Sequence, residues 1–107
     1  MIYSVAIIDD AQADILAIYK YILDNDSVQA ADHVFGKIEE LCYSLSHHPE
    51  RGHTPPELAR INVTSYLEVH FKPYRVIYEI DGKKVFVHCI LDGRREIQDL
   101  LDRRLLR

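Results

Sequence analysis

Two stretches of the sequence carry charged side chains at a spacing that could support RNA cleavage. In residues 66–71 and 74–80, apolar and polar side chains alternate, which is the period of a β-strand with one buried face. If the apolar side chains face a core, the opposite face collects four polar ones: Glu68, His70, Arg75 and Glu79. A carboxylate, a histidine and an arginine could supply the acid, the base and the phosphate-binding cation of that reaction. The alternative is a solvated sheet face, on which Arg75 is structural and pairs with Glu68 or Glu79.

A second cationic group follows the last predicted strand. Arg94 and Arg95 stand in the run Asp92-Gly93-Arg94-Arg95, near the sheet face just described. Arginine pairs bind phosphates or carboxylates through bidentate hydrogen bonds. The other interpretation is ordinary solvated charge at the start of a helix, where the helix dipole disfavours cations.

The histidines and cysteines do not form a known metal-binding pattern. His47, His48 and His53 with Cys42 match no standard zinc spacing, and Cys42 belongs to an apolar helical stripe. Cys42 and Cys89 are expected to be small buried hydrophobic residues rather than nucleophiles. The chain also lacks the glycine pattern of a phosphate-binding loop. The sequence therefore predicts neither a metal ion nor a cofactor.

Composition restricts the chain to an ordinary globular class. Its 107 residues suit a single domain spanning 1–107, and the 48% hydrophobic and 28% charged residues argue against disorder. No apolar stretch approaches the length of a membrane span, and the first residues lack a signal-peptide pattern. Two cysteines are too few for a disulfide framework. We therefore expect a cytoplasmic protein without a membrane partner.

The net charge of −4 is unevenly distributed. Residues 1–50 carry nine acidic and two basic side chains, whereas residues 51–107 carry eleven basic and eight acidic ones. The second half could face an anionic or acidic partner, or the imbalance could reflect a mixed, solvated surface.

The elements that must position these side chains begin with a strand and two helices. Residues 2–8 are β-branched and aromatic, which predicts an N-terminal strand. A helical hairpin is predicted over residues 10–46, where apolar residues recur at helical spacing. Capping-box patterns at Asp9–Gln12 and Asp26–Gln29 predict the start of each helix. A polar loop follows over residues 46–56, and residues 57–65 are ambiguous apart from a short helical turn around Leu58.

The second half of the chain is predicted to form the sheet. An antiparallel meander is expected over residues 66–92, with Asp81-Gly82 as a strong hairpin turn. The strand at Val85–Leu91 is too apolar for its two faces to be assigned. Residues 96–107 return to helical spacing. The predicted fold class is α+β: an N-terminal strand, a two-helix hairpin packed on a small antiparallel sheet, and a C-terminal helix.

Three segments resemble the RelE/ParE toxin superfamily, often described as plasmid stabilisation proteins. Pro-Tyr-Arg-Val-Ile-Tyr-Glu-Ile at 73–80 is similar to the family's signature strand. Residues 85–96 resemble its hydrophobic strand followed by Gly-Arg-Arg, and residues 48–52 resemble the loop after its helical hairpin. The order of the elements also agrees, so the resemblance covers nearly the whole chain. It implies a small antiparallel sheet covered by the helical hairpin.

The resemblance further implies the toxin of a type II toxin–antitoxin pair, silenced by a cognate antitoxin. RelE-like members cut mRNA on the ribosome, whereas ParE-like members poison DNA gyrase and are not nucleases. Arg75 matches the strand arginine that RelE-like enzymes use on the phosphate, and Arg94 or Arg95 lies near their second arginine. A nuclease would therefore use Arg75, Arg94, Arg95, Glu68 and His70 as its catalytic set.

Three departures favour the ParE-like branch. The chain is acidic, whereas RelE-like nucleases are usually strongly basic, and phosphate-backbone affinity rests on many cations. The basic run expected before the signature strand is reduced to Lys72, and no tyrosine or histidine follows the last strand. We therefore expect gyrase inhibition through a binding surface of Lys72, Arg75, Arg94 and Arg95. An mRNA endoribonuclease and a non-toxic binding module on the same fold are the alternatives.

Overall fold

A computed structural model describes residues 2–106 and has the predicted α+β order of elements. In chain order these are β1 (Ser4–Ile7), α1 (Asp9–Asn25), α2 (Val28–Ser44), a 3-10 turn (Pro49–Arg51), α3 (Pro56–Ala59), β2 (Tyr66–Phe71), β3 (Tyr74–Asp81), β4 (Lys84–Asp92) and α4 (Gln98–Leu105). Among residues 2–106, no helix is both long enough and apolar enough to cross a bilayer.

The four strands form one sheet in the order β1-β4-β3-β2. Strands β2, β3 and β4 make the predicted antiparallel meander. The N-terminal strand joins the edge of this meander and runs parallel to β4, with Ser4 opposite Lys84 and Ile7 opposite Val87. Because β1 ends there, residues 88–92 of β4 pair with no strand on that side within the described part of the chain.

Each face of the sheet has its own hydrophobic core. The inner face packs against α1 and α2 through a core that includes Ile15, Ile38, Val76 and Tyr78. The outer face was expected to be open to solvent, but this was wrong for its centre. There α3 and α4 cover a second core formed by Leu58, Ile77, Cys89, Leu91, Ile97 and Leu101. Ile77 stands in the middle of the polar set on β3, and burying its side chain requires such a cover.

The predicted capping boxes were wrong at both helix starts. Ile8 precedes α1 without a side-chain cap, and Gln12 Nε2 instead donates to the Ile7 carbonyl at 2.9 Å. Asp9 lies in the first turn, where its charge still suits the helix dipole. The cap of α2 is Ser27, whose hydroxyl accepts from the Ala30 amide at 3.1 Å.

A β-bulge explains why the faces of β4 could not be assigned from the sequence. Ile77 pairs with Cys89 while Tyr78 pairs with Val87, so His88 is an extra residue in β4. Val87 and Ile90 therefore face the inner core, whereas Cys89 faces the outer one.

The backbone groups around the bulge are satisfied by side chains. Arg104 donates to the His88 carbonyl at 2.8 Å, and the Ile90 amide donates to Asp14 at 3.0 Å. Arg104 and Asp14 also form an ion pair at 3.0 Å. This network joins α1, the part of the β4 edge beyond β1, and α4.

Candidate functional site

Arg75 is held between two carboxylates on the outer face of the sheet. Its Nε and Nη2 donate to the two oxygens of Glu68 at 2.6 and 2.9 Å. Its Nη1 and Nη2 donate to the two oxygens of Glu57 at 2.9 and 2.8 Å. Only 12% of the Arg75 side chain is exposed. Four of the five guanidinium N–H donors are thus used inside the protein.

Arg75 and Glu57 each shift the pKa of the other. The hydrogen bonds from Arg75 hold the pKa of Glu57 below its usual value of 4.5. Glu57 in turn is the main cause of a raised Arg75 pKa, with Glu68 adding to it and burial opposing it. Both groups therefore stay charged at neutral pH.

Three elements and one glycine place the groups around Arg75. Arg75 lies opposite His70 in the β2–β3 ladder, so Glu68 is its diagonal neighbour on the same face. Glu57 is in the first turn of α3, which is anchored by the fully buried Leu58. A Cβ atom at Gly93 would lie 3.0 Å from Arg75 Cδ and 2.9 Å from a backbone oxygen. The lack of a side chain at Gly93 therefore makes room for the Arg75 stem.

Glu68 is a buried carboxylate that contacts two histidines as well as Arg75. Its side chain is 1% exposed, and its oxygens lie 3.1 Å from His70 Nε2 and 3.3 Å from His53 Nε2. The backbones of His53 and Glu68 also exchange hydrogen bonds of 3.2 and 2.8 Å. A buried charge is tolerated when it is paired and hydrogen-bonded in this way. We call the cluster of Glu57, Arg75, Glu68, His53 and His70 the arginine cluster.

The structure thus brings together three of the four polar residues predicted to share this face. Glu68, His70 and Arg75 are in contact, but Glu79 lies near the other end of β3 and pairs with His88 at 3.0 Å. Arg75 pairs with Glu68, as the structural alternative predicted, and not with Glu79.

Two members of the arginine cluster were not connected to it from the sequence. Glu57 follows Pro55-Pro56, a pattern typical of a helix start, so a short helix was foreseeable but its contact with Arg75 was not. His53 was considered only with Cys42 and the neighbouring histidines. Cys42 is instead buried in the inner core, and burial raises the pKa of its thiol to about 12.

The other predicted binding residues lie at one end of the sheet. Arg94 is 67% exposed and forms an ion pair with Asp92 at 2.7 Å. Arg95 is exposed and lines a groove of about 550 Å³ between α1 and the end of β4. Lys72 is exposed in the β2–β3 turn, which hydrogen-bonds to the segment after β4 through the Gly93 amide. We call Lys72, Arg94 and Arg95 the cationic end; Arg75 is not part of this exposed surface.

Known proteins match both the sequence and this fold. Toxin ParE3 of Caulobacter vibrioides is 27% identical over 84 residues, covering 78% of this chain and 80% of the relative. The chromosomal ParDE TA system from P. aeruginosa contains a chain with a TM-score of 0.70 and 20% identity, covering 83% of this chain and 94% of that one. A chain of the RelBE2 toxin-antitoxin complex from Mycobacterium tuberculosis has a TM-score of 0.62 and 18% identity, covering 84% and 96%.

The two structures establish likeness of fold, and the sequence comparison establishes the family. A sequence model described as the ParE toxin of the type II toxin-antitoxin system parDE matches residues 5–97, which include both the arginine cluster and the cationic end. The chain therefore belongs to the ParE toxin family of type II toxin–antitoxin systems.

Proposed function

We propose that this toxin inhibits DNA gyrase and that a cognate antitoxin silences it. The observation that carries the proposal is the enclosure of Arg75 between Glu57 and Glu68. A RelE-like nuclease would need this arginine to bind the phosphate at the scissile bond. Here the guanidinium is already occupied by two carboxylates in well-formed charge-assisted hydrogen bonds.

The charge around Arg75 also disfavours a phosphodiester. One guanidinium faces two carboxylates, so the neighbourhood carries a net negative charge while the histidines are neutral. One N–H of Arg75 is left, so a phosphate could make a bidentate contact only by displacing a carboxylate, and a displaced Glu68 would be left buried without its cation. Preorganised positive charge is what a transition state rich in negative charge requires.

Inhibition of gyrase requires a binding surface and no catalytic pair. The cationic end supplies exposed positive charge beside the aromatic rings of Tyr21 and Tyr74, which line the same groove as Arg94 and Arg95. Arginine and tyrosine are enriched where protein interfaces bind most strongly. We assign this surface to the contact with gyrase.

The antitoxin is proposed to cover the helical hairpin and the nearby sheet edge. Both structural relatives are chains of toxin–antitoxin systems, ParDE from P. aeruginosa and RelBE2 from Mycobacterium tuberculosis. In this chain, the edge of β4 beyond β1 lies beside the groove on α1, which also includes the apolar Ile18. A helical segment could fill such a groove, whereas an extended one could add to the strand edge by displacing Asp14 and Arg104 from the backbone of β4.

Co-expression with the neighbouring small open reading frame tests the antitoxin proposal. We expect the two proteins to co-purify and the neighbour to relieve growth arrest caused by the toxin. A monodisperse and harmless protein when expressed alone, with no partner recovered, would instead support a non-toxic binding module on this fold.

Two assays on the purified chain test the target. We expect inhibition of gyrase supercoiling and no ribosome-dependent mRNA cleavage. Replacing Arg94 and Arg95 by alanine should weaken gyrase inhibition at least about tenfold, the effect of losing roughly 1.4 kcal/mol of binding. The matched control replaces Lys83 and Lys84 by alanine, because these exposed lysines lie at the opposite end of β4. The control should inhibit like the wild type.

The nuclease alternative is supported by two contacts of Glu68. His70 and Arg75 both lie within hydrogen-bonding distance of Glu68, so a carboxylate, a histidine and an arginine do meet. Cleavage of mRNA that disappears in Arg75→Ala and leaves supercoiling untouched would establish this alternative and overturn our choice.

A further inference from the structure

Glu68, His53 and His70 form a donor set that the proposed gyrase surface does not use. Among residues 2–106, these three side chains form a group of possible metal ligands, and their ligand atoms all lie within 4.8 Å of one another. Two imidazoles and one carboxylate are the ligands of many zinc sites, in which a fourth position stays open to water. We propose that these three side chains bind one Zn²⁺ ion per chain.

The spacing of the donors suits zinc. Two ligands about 2.1 Å from a tetrahedral ion lie about 3.4 Å apart. The Glu68 oxygens are 3.3 Å from His53 Nε2 and 3.1 Å from His70 Nε2, and the two imidazole rings have centroids 5.3 Å apart. Both Nε2 atoms already lie within 3.3 Å of the carboxylate. An ion can therefore enter with small side-chain movements.

Arg75 does not block the carboxylate. Each carboxylate oxygen has two lone pairs. Oε1 accepts from Arg75 Nε and faces His70, whereas Oε2 accepts from Arg75 Nη2 and faces His53. The ion would bind the two Nε2 atoms, and any proton on Nε2 would move to Nδ1 or to solvent. Arg75 meanwhile keeps its two contacts with Glu57.

The site is both preorganised and accessible. The backbone hydrogen bonds between His53 and Glu68 fix the loop before α3 against β2. Glu68 is buried, but His53 and His70 are 59% and 37% exposed, so an ion has a path from solvent and room for a water ligand. Bound zinc would join this loop to the edge strand of the sheet.

The test measures zinc binding to the untagged full-length chain, because a histidine tag would itself bind zinc. Equilibrium dialysis against Zn²⁺ should give one ion per wild-type chain. His53→Gln and His70→Gln should each lower the zinc affinity at least about tenfold. Even mutating a residue that only hydrogen-bonds to a metal ligand typically lowers metal affinity about 10–100-fold. Glutamine keeps an N–H donor near Glu68, so neither variant leaves the buried carboxylate facing an apolar side chain.

The matched control is the double variant His47→Gln, His48→Gln, which removes two exposed histidines that precede the site in the same loop. It should bind zinc like the wild type. Zinc should also raise the melting temperature of the wild type and of this control, but not of His53→Gln or His70→Gln. Circular dichroism without metal shows whether each variant is folded. The proposal is overturned if the wild type binds no zinc, or if both single variants bind it as tightly as the control.

Discussion

Replacing Arg75 by methionine removes the cation of the arginine cluster while keeping much of the side chain's volume. Glu68 is then left 1% exposed with only His53 and His70 as partners. Breaking a buried ion pair costs about 3–5 kcal/mol of unfolding free energy. Because the two imidazoles still lie within 3.3 Å of Glu68, we expect the lower end, about 3 kcal/mol.

This cost should be visible in thermal unfolding. An unfolding entropy of about 2.1 cal/mol/K per residue makes a loss of about 3 kcal/mol equivalent to a melting temperature about 13 °C lower in a chain of this size. The assay is circular dichroism of the purified variant at pH 7, followed by the gyrase and growth-arrest measurements on the same preparation. Growth arrest by Arg75→Met should weaken only in proportion to the loss of folded protein.

A double variant tests whether the unpaired Glu68 carboxylate causes the loss of stability in Arg75→Met. Glu68→Gln in the Arg75→Met background removes the unpaired carboxylate and leaves an amide that can bond to both histidines. We expect it to recover at least about 1 kcal/mol relative to Arg75→Met alone. The reasoning is refuted if Arg75→Met melts within about 3 °C of the wild type while toxicity is abolished, because Arg75 would then serve function rather than the fold.

Three further outcomes follow from the same contacts. Because the pKa of Glu57 is lowered in the folded state, its contribution to stability is complete above its ordinary pKa of 4.5 and is lost as the pH falls through the lower folded-state value. Melting curves should therefore show a loss of melting temperature in acid that is absent in Arg75→Met. Cys42 and Cys89 are buried and their pKa values are raised to about 12, so a thiol reagent should modify neither until denaturant unfolds the chain, and fast labelling of the native protein would contradict this burial. A Cβ at Gly36 in α2 would meet no atom within 4 Å, so Gly36→Ala should raise the unfolding free energy by about 0.5–1 kcal/mol in denaturant titration, and a destabilised variant would show that the position packs against something.

The fold was predictable because its elements have strong periodic patterns. The helical stripe that includes Ile38 and Cys42 packs into the inner core, and the alternation of Val69, Val76 and Tyr78 placed their strands correctly. The helix starts were less predictable. Asp26 and Ser27 are both good N-cap residues for α2, and the backbone geometry, which the sequence does not give, selects Ser27.

The site was only partly predictable, because most of its contacts are long-range. Alternation placed Glu68, His70 and Arg75 on one face, since that inference depends only on two adjacent strands. Glu57 is 18 residues from Arg75 in sequence and reaches it from a different element. The β4 bulge also moves Cys89 to the outer face against the alternation, which no local pattern indicated.

The arginine cluster shows why the strand arginine does not by itself distinguish nuclease from gyrase inhibitor. Its availability depends on whether the segment before β2 delivers a carboxylate to it. Here α3, anchored by Leu58, brings Glu57 to the side of the guanidinium that Glu68 does not occupy. A chain with a neutral residue at position 57 would leave that side of Arg75 open to a phosphate without any change to the sheet. Access to the Arg75 guanidinium thus depends on a short helix outside the sheet, and such segments can vary while the fold stays the same.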